Sequence, residues 1–277
     1  MIFPQLWRIE GPGFLLPVFF LSLFLGRLNG QISGQEASVA ALGGTFVSRS
    51  NYSCAIQNQA GLGWVKDHSV SLNHSRPYLE LGISSLGLQV NTEKGALGTF
   101  FSTYGIPGLR QSSLWVSYGM TLTSVLSAGL GMHFWAYSLP EKMMHHPGIS
   151  LALGLQARIN NQWILGIHIL HPRAWDNTIN GLPNLAMNIS AGCSYSFFKT
   201  ATVYSELHMA PGKRIQWASG IQWTLRRAMG FMLGIHNQPL TWSAGITLLH
   251  KRCNLQIAFQ YVTDTGTIPS SSIHYAW

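Results

Sequence analysis

Charge is what this sequence has least of. Only 9% of its residues are Asp, Glu, Lys or Arg, against about a quarter in a soluble domain. A large soluble sandwich with an aromatic core would need more surface charge, so that class fits poorly. Cysteine is scarce too. Cys54, Cys193 and Cys253 are the only three, and this odd, scattered set excludes a disulfide framework and a structural zinc site. Beyond the N-terminus no apolar run approaches the ~20 residues of a transmembrane helix. Phosphate cradles are missing as well. Gly43-Gly44 and Gly61-Leu62-Gly63 lead to no P-loop lysine and sit in no βαβ unit, so they read as tight backbone turns.

Catalytic constellations are equally absent. The eleven histidines are dispersed. The one adjacent pair, His145-His146, would face opposite ways in an extended strand. No Ser–His–carboxylate set falls at one height, so we expect no enzyme, no metal and no cofactor. The net charge of +8 suggests nucleic acid, but no basic stripe or Arg-rich helix accompanies it, and that partner is excluded.

What remains is apolar, glycine-rich and aromatic: 47% hydrophobic residues, 29 glycines and 10 tryptophans in 277 residues. High apolarity without long apolar runs is the composition of a membrane barrel, whose outward and inward residues dilute each other. The chain opens like an export signal. Arg8, partly offset by Glu10, precedes the uncharged run Gly13–Leu25. Cleavage after Gly30 would leave Gln31 first, although Leu28 and Gly30 depart from a clean A-x-A site.

Residues 31–67 are small-residue rich and lack clean alternation. They read as an N-terminal cap, a plug inside a barrel, or a periplasmic lead-in. From His68 the period becomes 2 and stays there. Ser124–Ser138 is the clearest stretch: Leu126, Ala128, Leu130, Met132, Phe134 and Ala136 alternate with Val125, Ser127, Gly129, Gly131, His133 and Trp135. Strands are expected near 68–75, 79–90, 94–105, 111–122, 124–138, 148–159 and 162–171. Further strands follow near 186–197, 200–209, 214–225, 228–237, 241–249, 253–262 and 271–277.

The outward sets, such as Leu114, Val116, Tyr118 and Met120, contain no charge. The in-strand charges Glu80, Arg158 and Glu206 alternate onto the other face. So do His133, Trp135, Tyr204 and His208, which we place in the lumen as packing and hydrogen-bonding groups. The apolar phase slips around Ser84–Leu86, which predicts a bulge there. Connections after even strands are short, and those at Pro140–Pro147, Pro172–Pro183 and Asp264–Ser270 are longer. That asymmetry places the short turns and both termini in the periplasm of a cell with an outer membrane. Trp163, Phe197, Trp223 and Trp277 then fall at one rim, and Phe134, Trp217, Trp242 and Tyr261 toward the other.

Short motifs carry a family resemblance. Ala41-Leu42-Gly43-Gly44, then Asn58-Gln59-Ala60-Gly61-Leu62, resembles the "ALGG … NPAGL" opening of the PorV/PorQ branch of FadL-like barrels. Gly166–Ala174 looks like that group's "GVHVFNPVRA" strand end, and Leu182-Pro183 like the "LP" that opens its next strand. Gln59 stands where the motif has proline, and His171 where it has asparagine. The resemblance implies a hatch carrying Leu42, Gly43, Gly44, Asn58, Ala60, Gly61 and Leu62. It also implies either of two tasks: an accessory barrel to the type IX secretion translocon and its exported proteins, or a FadL-like channel for hydrophobic molecules. The loop Pro172–Pro183, with Arg173, Trp175 and Asp176, is the expected partner contact. The expectation is an all-β chain, a transmembrane antiparallel barrel of about fourteen strands with an N-terminal hatch (residues 1–30 signal, 31–67 hatch, 68–277 barrel).

Overall fold

Strict alternation leaves each segment one face that tolerates lipid and one that does not, and fourteen such segments close on themselves. The computed structural model describes residues 36–277 except 79–80, 107–108, 140–143, 173–185, 198–199, 226–227 and 264. The strands are β1 (Ser69–Tyr78), β2 (Leu81–Thr92), β3 (Gly95–Ile106), β4 (Leu109–Thr121), β5 (Leu126–Leu139), β6 (Met144–Arg158) and β7 (Trp163–Leu170). They continue as β8 (Asn188–Phe197), β9 (Ala201–Met209), β10 (Gln216–Leu225), β11 (Met229–Asn237), β12 (Leu240–His250), β13 (Cys253–Val262) and β14 (Gly266–Ala276).

Each strand pairs antiparallel with the next, and β14 closes on β1 from Ser69↔Ala276 to Ser75↔Ser270. Backbone bonds between His68 and Trp277, 3.2 and 2.9 Å long, extend that seam. Closure removes every sheet edge, which an open sheet in hydrocarbon would leave unsatisfied. No helix among the described residues is long and apolar enough to cross a membrane.

The opening stretch shows how faces are assigned. On β5, Leu130 is 49% exposed and Met132 36%, whereas Ser127 is fully buried and Trp135 is 5% exposed. The exposed set around the wall is apolar, from Leu86 and Leu88 through Leu151, Leu153 and Leu155 to Phe259 and Ile273. The eight aromatics placed at the two rims are all exposed. Trp163, Tyr195 and Phe197 form one contiguous cluster of rings, with centroids 4.6 and 4.4 Å apart.

Three expectations are corrected. β2 runs in unbroken register against β3, with Leu81, Ile83 and Ser85 inward and Ser84 and Leu86 outward, so no bulge lies at Ser84–Leu86. The register shift falls in the β1–β2 pair between Ser75 and Tyr78 instead. Inward isoleucine and leucine produced the misleading phase. Residues 144–147 and 266–270 lie in strands, because β6 begins at Met144 and β14 at Gly266. Prolines 147 and 269 misled the reading, since an extended strand accepts proline where no ladder bond is needed. Between the end of β7 and the start of β8, residues 173–185, with Arg173, Trp175 and Asp176, lie outside the described residues, as do Glu80 and residues 1–35.

Leu130→Arg tests the lipid-facing assignment. It should lower barrel stability by roughly 2–4 kcal/mol in detergent-to-denaturant unfolding, while Ser138→Arg near the rim should cost much less.

Candidate functional site

The hatch enters the barrel because the wall offers it glycine. Residues 36–67 contain a short helix, α1 (Ala37–Ala41), and a 3-10 helix at Gln59–Trp64. α1 packs on β11–β14 and the 3-10 helix on β3–β6. A Cβ on Gly119 or Gly129 would collide with the backbone of Gln59, one on Gly154 with the Asn58 amide, and one on Gly166 with the carbonyl of Val47. Across the lumen, a Cβ on Gly220 would lie 2.7 Å from the Leu42 carbonyl, and one on Gly234 would overlap Gly43. Gly43 and Gly44 adopt φ of 72° and 90°, which glycine reaches without strain.

Polar pins fix what the glycines admit. Asn58 caps the 3-10 helix by accepting from the Ala60 amide (3.2 Å), and its Nδ2 donates to the carbonyl of Val47 (2.7 Å) and to that of Leu155 on the wall (3.2 Å). Ser243 bridges Ala41 and Gly43, donating to one carbonyl and accepting from the other amide, each at 3.0 Å. Gln156 Nε2 donates to the carbonyls of Val47 (2.8 Å) and Arg49 (2.7 Å). Glu206 Oε1 accepts from the amides of Phe46 and Val47, both at 2.6 Å. Leu42, Ala60 and Leu62 are fully buried, and Gly61 packs against Cys54 so closely that a Cβ would stand 2.5 Å from its sulfur. Burial pushes the Cys54 thiol up to about 12, so this cysteine packs rather than reacts.

A second buried cluster anchors the first hatch residues. Glu36 accepts from Ser38 Oγ (2.6 Å), Asn51 Nδ2 (2.7 Å) and Ser53 Oγ (2.8 Å), and lies 3.5 Å from His274 on β14. Burial alone would raise its carboxyl. The charge and hydrogen bonding of His274, with Arg49 and Ser38, outweigh burial and hold the group below the usual carboxylate range.

Unlike side chains meet the hatch at its two ends. Toward the end opposite the termini the lining is aromatic. Trp115 stacks on His133 with centroids 4.1 Å apart, and Trp135 and His171 adjoin them. The half-buried Phe46 faces His168 edge-on at 5.7 Å and stacks on His208 at 5.8 Å, and His236 follows 6.1 Å beyond. Toward the termini the lining is polar and includes Arg158 and Tyr204. Thus the six lumen residues read from the sequence do not converge. His133 and Trp135 form one wall, Glu206 and His208 another, and Arg158 and Tyr204 lie on the hatch's other side.

One arrangement has a hydrolytic look. Ser190 Oγ lies 2.9 Å from His208 Nδ1, whose Nε2 is 3.9 Å from Glu206 Oε2. The carboxylate is beyond hydrogen-bond reach, and Ser190 is buried among wall residues, so we assign packing and not catalysis. Among the described residues no group of three His, Cys, Asp or Glu could hold a metal. Sequence reasoning missed Phe46, Arg49, Glu36 and His168. Three of these sit in the segment without periodicity, where nothing says which side chains turn inward.

No protein-family model matches the chain, and no characterised protein matches it by sequence. The architecture does have solved counterparts. The CymD monoaromatic hydrocarbon channel superposes with a TM-score of 0.65 at 13% identity, covering 87% of this chain and 96% of its own. The toluene transporter TbuX of Ralstonia pickettii does so at 0.66 and 12%, covering 89% and 98%. A FadL homologue of Pseudomonas aeruginosa gives 0.62 and 9%, covering 87% and 98%. The fold is FadL-like. At these identities the likeness speaks for fold alone, and nothing in it singles out the PorV/PorQ branch.

Two variants probe the hatch. Gly129→Val should unseat the 3-10 helix at a cost of about 1–3 kcal/mol, read as protease cleavage within residues 36–67 of an otherwise intact barrel. The pH dependence follows from Glu36. A depressed carboxyl stabilises the fold above its unfolded pKa, about 4, and that contribution fades only as pH falls through the lower folded value. The wild-type hatch should therefore resist proteolysis from neutrality to about pH 4, and Glu36→Gln should be weakened at every pH with a flat profile.

Proposed function

We propose that this chain is an outer-membrane channel for small hydrophobic molecules, closed at rest by its own hatch. The observation that carries this reading is the unlike surroundings of the hatch: a glycine-seated plug meets, on the side away from the termini, a packed cluster of Phe46, Trp115, Trp135 and histidine rings. Such a lining favours apolar and aromatic molecules over hydrated ions. The likeness to barrels described as hydrocarbon channels and a toluene transporter supports the same class of cargo. The apolar exterior has lipid as its partner, an N-terminal signal in residues 1–30 directs export, and the turns beside Trp277 face the periplasm.

A second reading is an accessory barrel of type IX secretion, engaging a translocon and its exported proteins through the loop that carries Arg173, Trp175 and Asp176. The hatch motif and the closely seated plug favour it, since an accessory barrel needs no through path. The channel reading has the better support.

The two part company in one measurement. Liposomes holding the barrel should take up toluene faster than empty ones, and a cysteine pair at Ala41 and Ser243, in a cysteine-free background, should block uptake when oxidised and restore it when reduced. Uptake indifferent to that lock, or no uptake at all, would sink the channel reading. Loss of cargo secretion on deleting the gene would then favour the accessory one.

A further inference from the structure

The space on the terminal side of the hatch carries chemistry that a hydrocarbon path does not use. It encloses about 410 Å³ between the hatch and the wall, and its lining reaches Thr224, Ala228 and Leu249 near the turns at the barrel's terminal end. Most of its wall is hydroxyl and amide: Ser194, Thr202, Gln222, Thr247, Asn254 and Gln256 line it.

Two guanidinium groups join that lining. Arg49 is 8% exposed; its Nη2 donates to Ser38 Oγ at 2.8 Å, and its Nη1 has no hydrogen-bond partner. Arg158 donates from Nη2 to Ser50 Oγ at 3.2 Å and lies over the Trp64 ring at 4.3 Å, and its Nε has none. The buried Ser48 hydroxyl beside them is unpartnered too. Among the described residues neither arginine makes a direct ion pair; Arg49 reaches Glu36 only through the shared Ser38 hydroxyl and lies over the Tyr204 ring at 5.7 Å. Glu36, the one carboxylate on the cavity wall, is occupied by Ser38, Asn51, Ser53 and His274. Glu206 spends one carboxylate oxygen on two hatch amides.

A buried guanidinium donor left unpaired is costly, and the planar fork is matched by the oxygens of a carboxylate or phosphate. Apolar cargo entering this space would leave those donors desolvated and unmet. We propose that the cavity is a binding site for a small organic anion, a carboxylate or phosphate ester whose body carries hydroxyl or amide groups. Arg49 holds the anionic group from the hatch side, Arg158 from the rim, and the hydroxyls and amides of β8–β13 take the body. The volume is that of an ordinary small-molecule site. The assignment does not rest on the channel reading, because the anion binds with the hatch seated.

Titration calorimetry of the full chain in mild detergent tests it, with gluconate, glycerol 3-phosphate, inorganic phosphate and toluene as probes. One organic anion should bind saturably at one site. Arg158→Gln, at the half-buried rim, should weaken it about tenfold or more, with toluene uptake unchanged. Arg49→Lys, which keeps the charge and loses the fork, should weaken it also, and circular dichroism reports whether that variant stays folded. Preference for gluconate assigns a carboxylate, and preference for glycerol 3-phosphate a phosphate. No saturable binding of either, affinity unmoved by Arg158→Gln, or inorganic phosphate binding as tightly as the organic anions would overturn the proposal.

Discussion

Everything in this barrel depends on backbone meeting backbone where the wall has no side chain. A lumen ringed by fourteen strands is too wide for inward side chains alone to fill. The chain fills it with its own first residues, and that works only because Gly119, Gly129, Gly154, Gly166, Gly220 and Gly234 present a bare surface at the contact level. With carbonyls and amides brought this close, specificity passes to the few hydrogen bonds that can form there. Asn58, Gln156, Glu206 and Ser243 make them. Removing one of these groups leaves buried backbone dipoles unmet, the costlier side of the hydrogen-bond balance.

The same seating explains where the scarce charge has gone. A chain with so few ionisable groups places Glu36, Arg49, Arg158 and Glu206 at or against the hatch, away from lipid. These groups are interior, so each requires a partner, and most find one in the hatch backbone or its hydroxyls. The plug therefore has two faces of opposite character. Rings crowd the side away from the termini, and hydroxyls, amides and guanidinium groups line the other.

Much of the wall was legible in the sequence. Period-2 alternation such as that of Ser124–Ser138 identifies strand and face together, because a one-residue slip would turn every leucine inward. Fourteen strands and their sequential closure followed from counting such segments. The reading failed where a local rule had a second solution. Pro147 and Pro269 looked like loop and lie in strand, and the apolar phase around Ser84–Leu86 looked like a bulge where β2 keeps its register against β3. The hatch was the least legible part. Its contacts reach from Ser38 to Gln256 and from Ala37 to Ser272, and no local pattern encodes partners so distant. The departures from the resembled motif do make local sense. Gln59 occupies the first helical position after an Asn cap, where proline is favoured. His171 adopts φ of 52°, a conformation asparagine tolerates better than most.

The anchoring of Glu36 and Ala37 on β14 sets an order of assembly. His274 and Ser272 belong to β14, the strand that must also find β1 across Ser69–Ser75. Until that seam closes, Glu36 and Ala37 lack their wall partners, and the start of the hatch is held only from Ser38 onward, by β11–β13. Loop closure over so much chain is slow and entropically opposed. A seam closed in the wrong register would move Ser272 and His274 away from Ala37 and Glu36 and leave a buried amide and carboxylate without their wall partners.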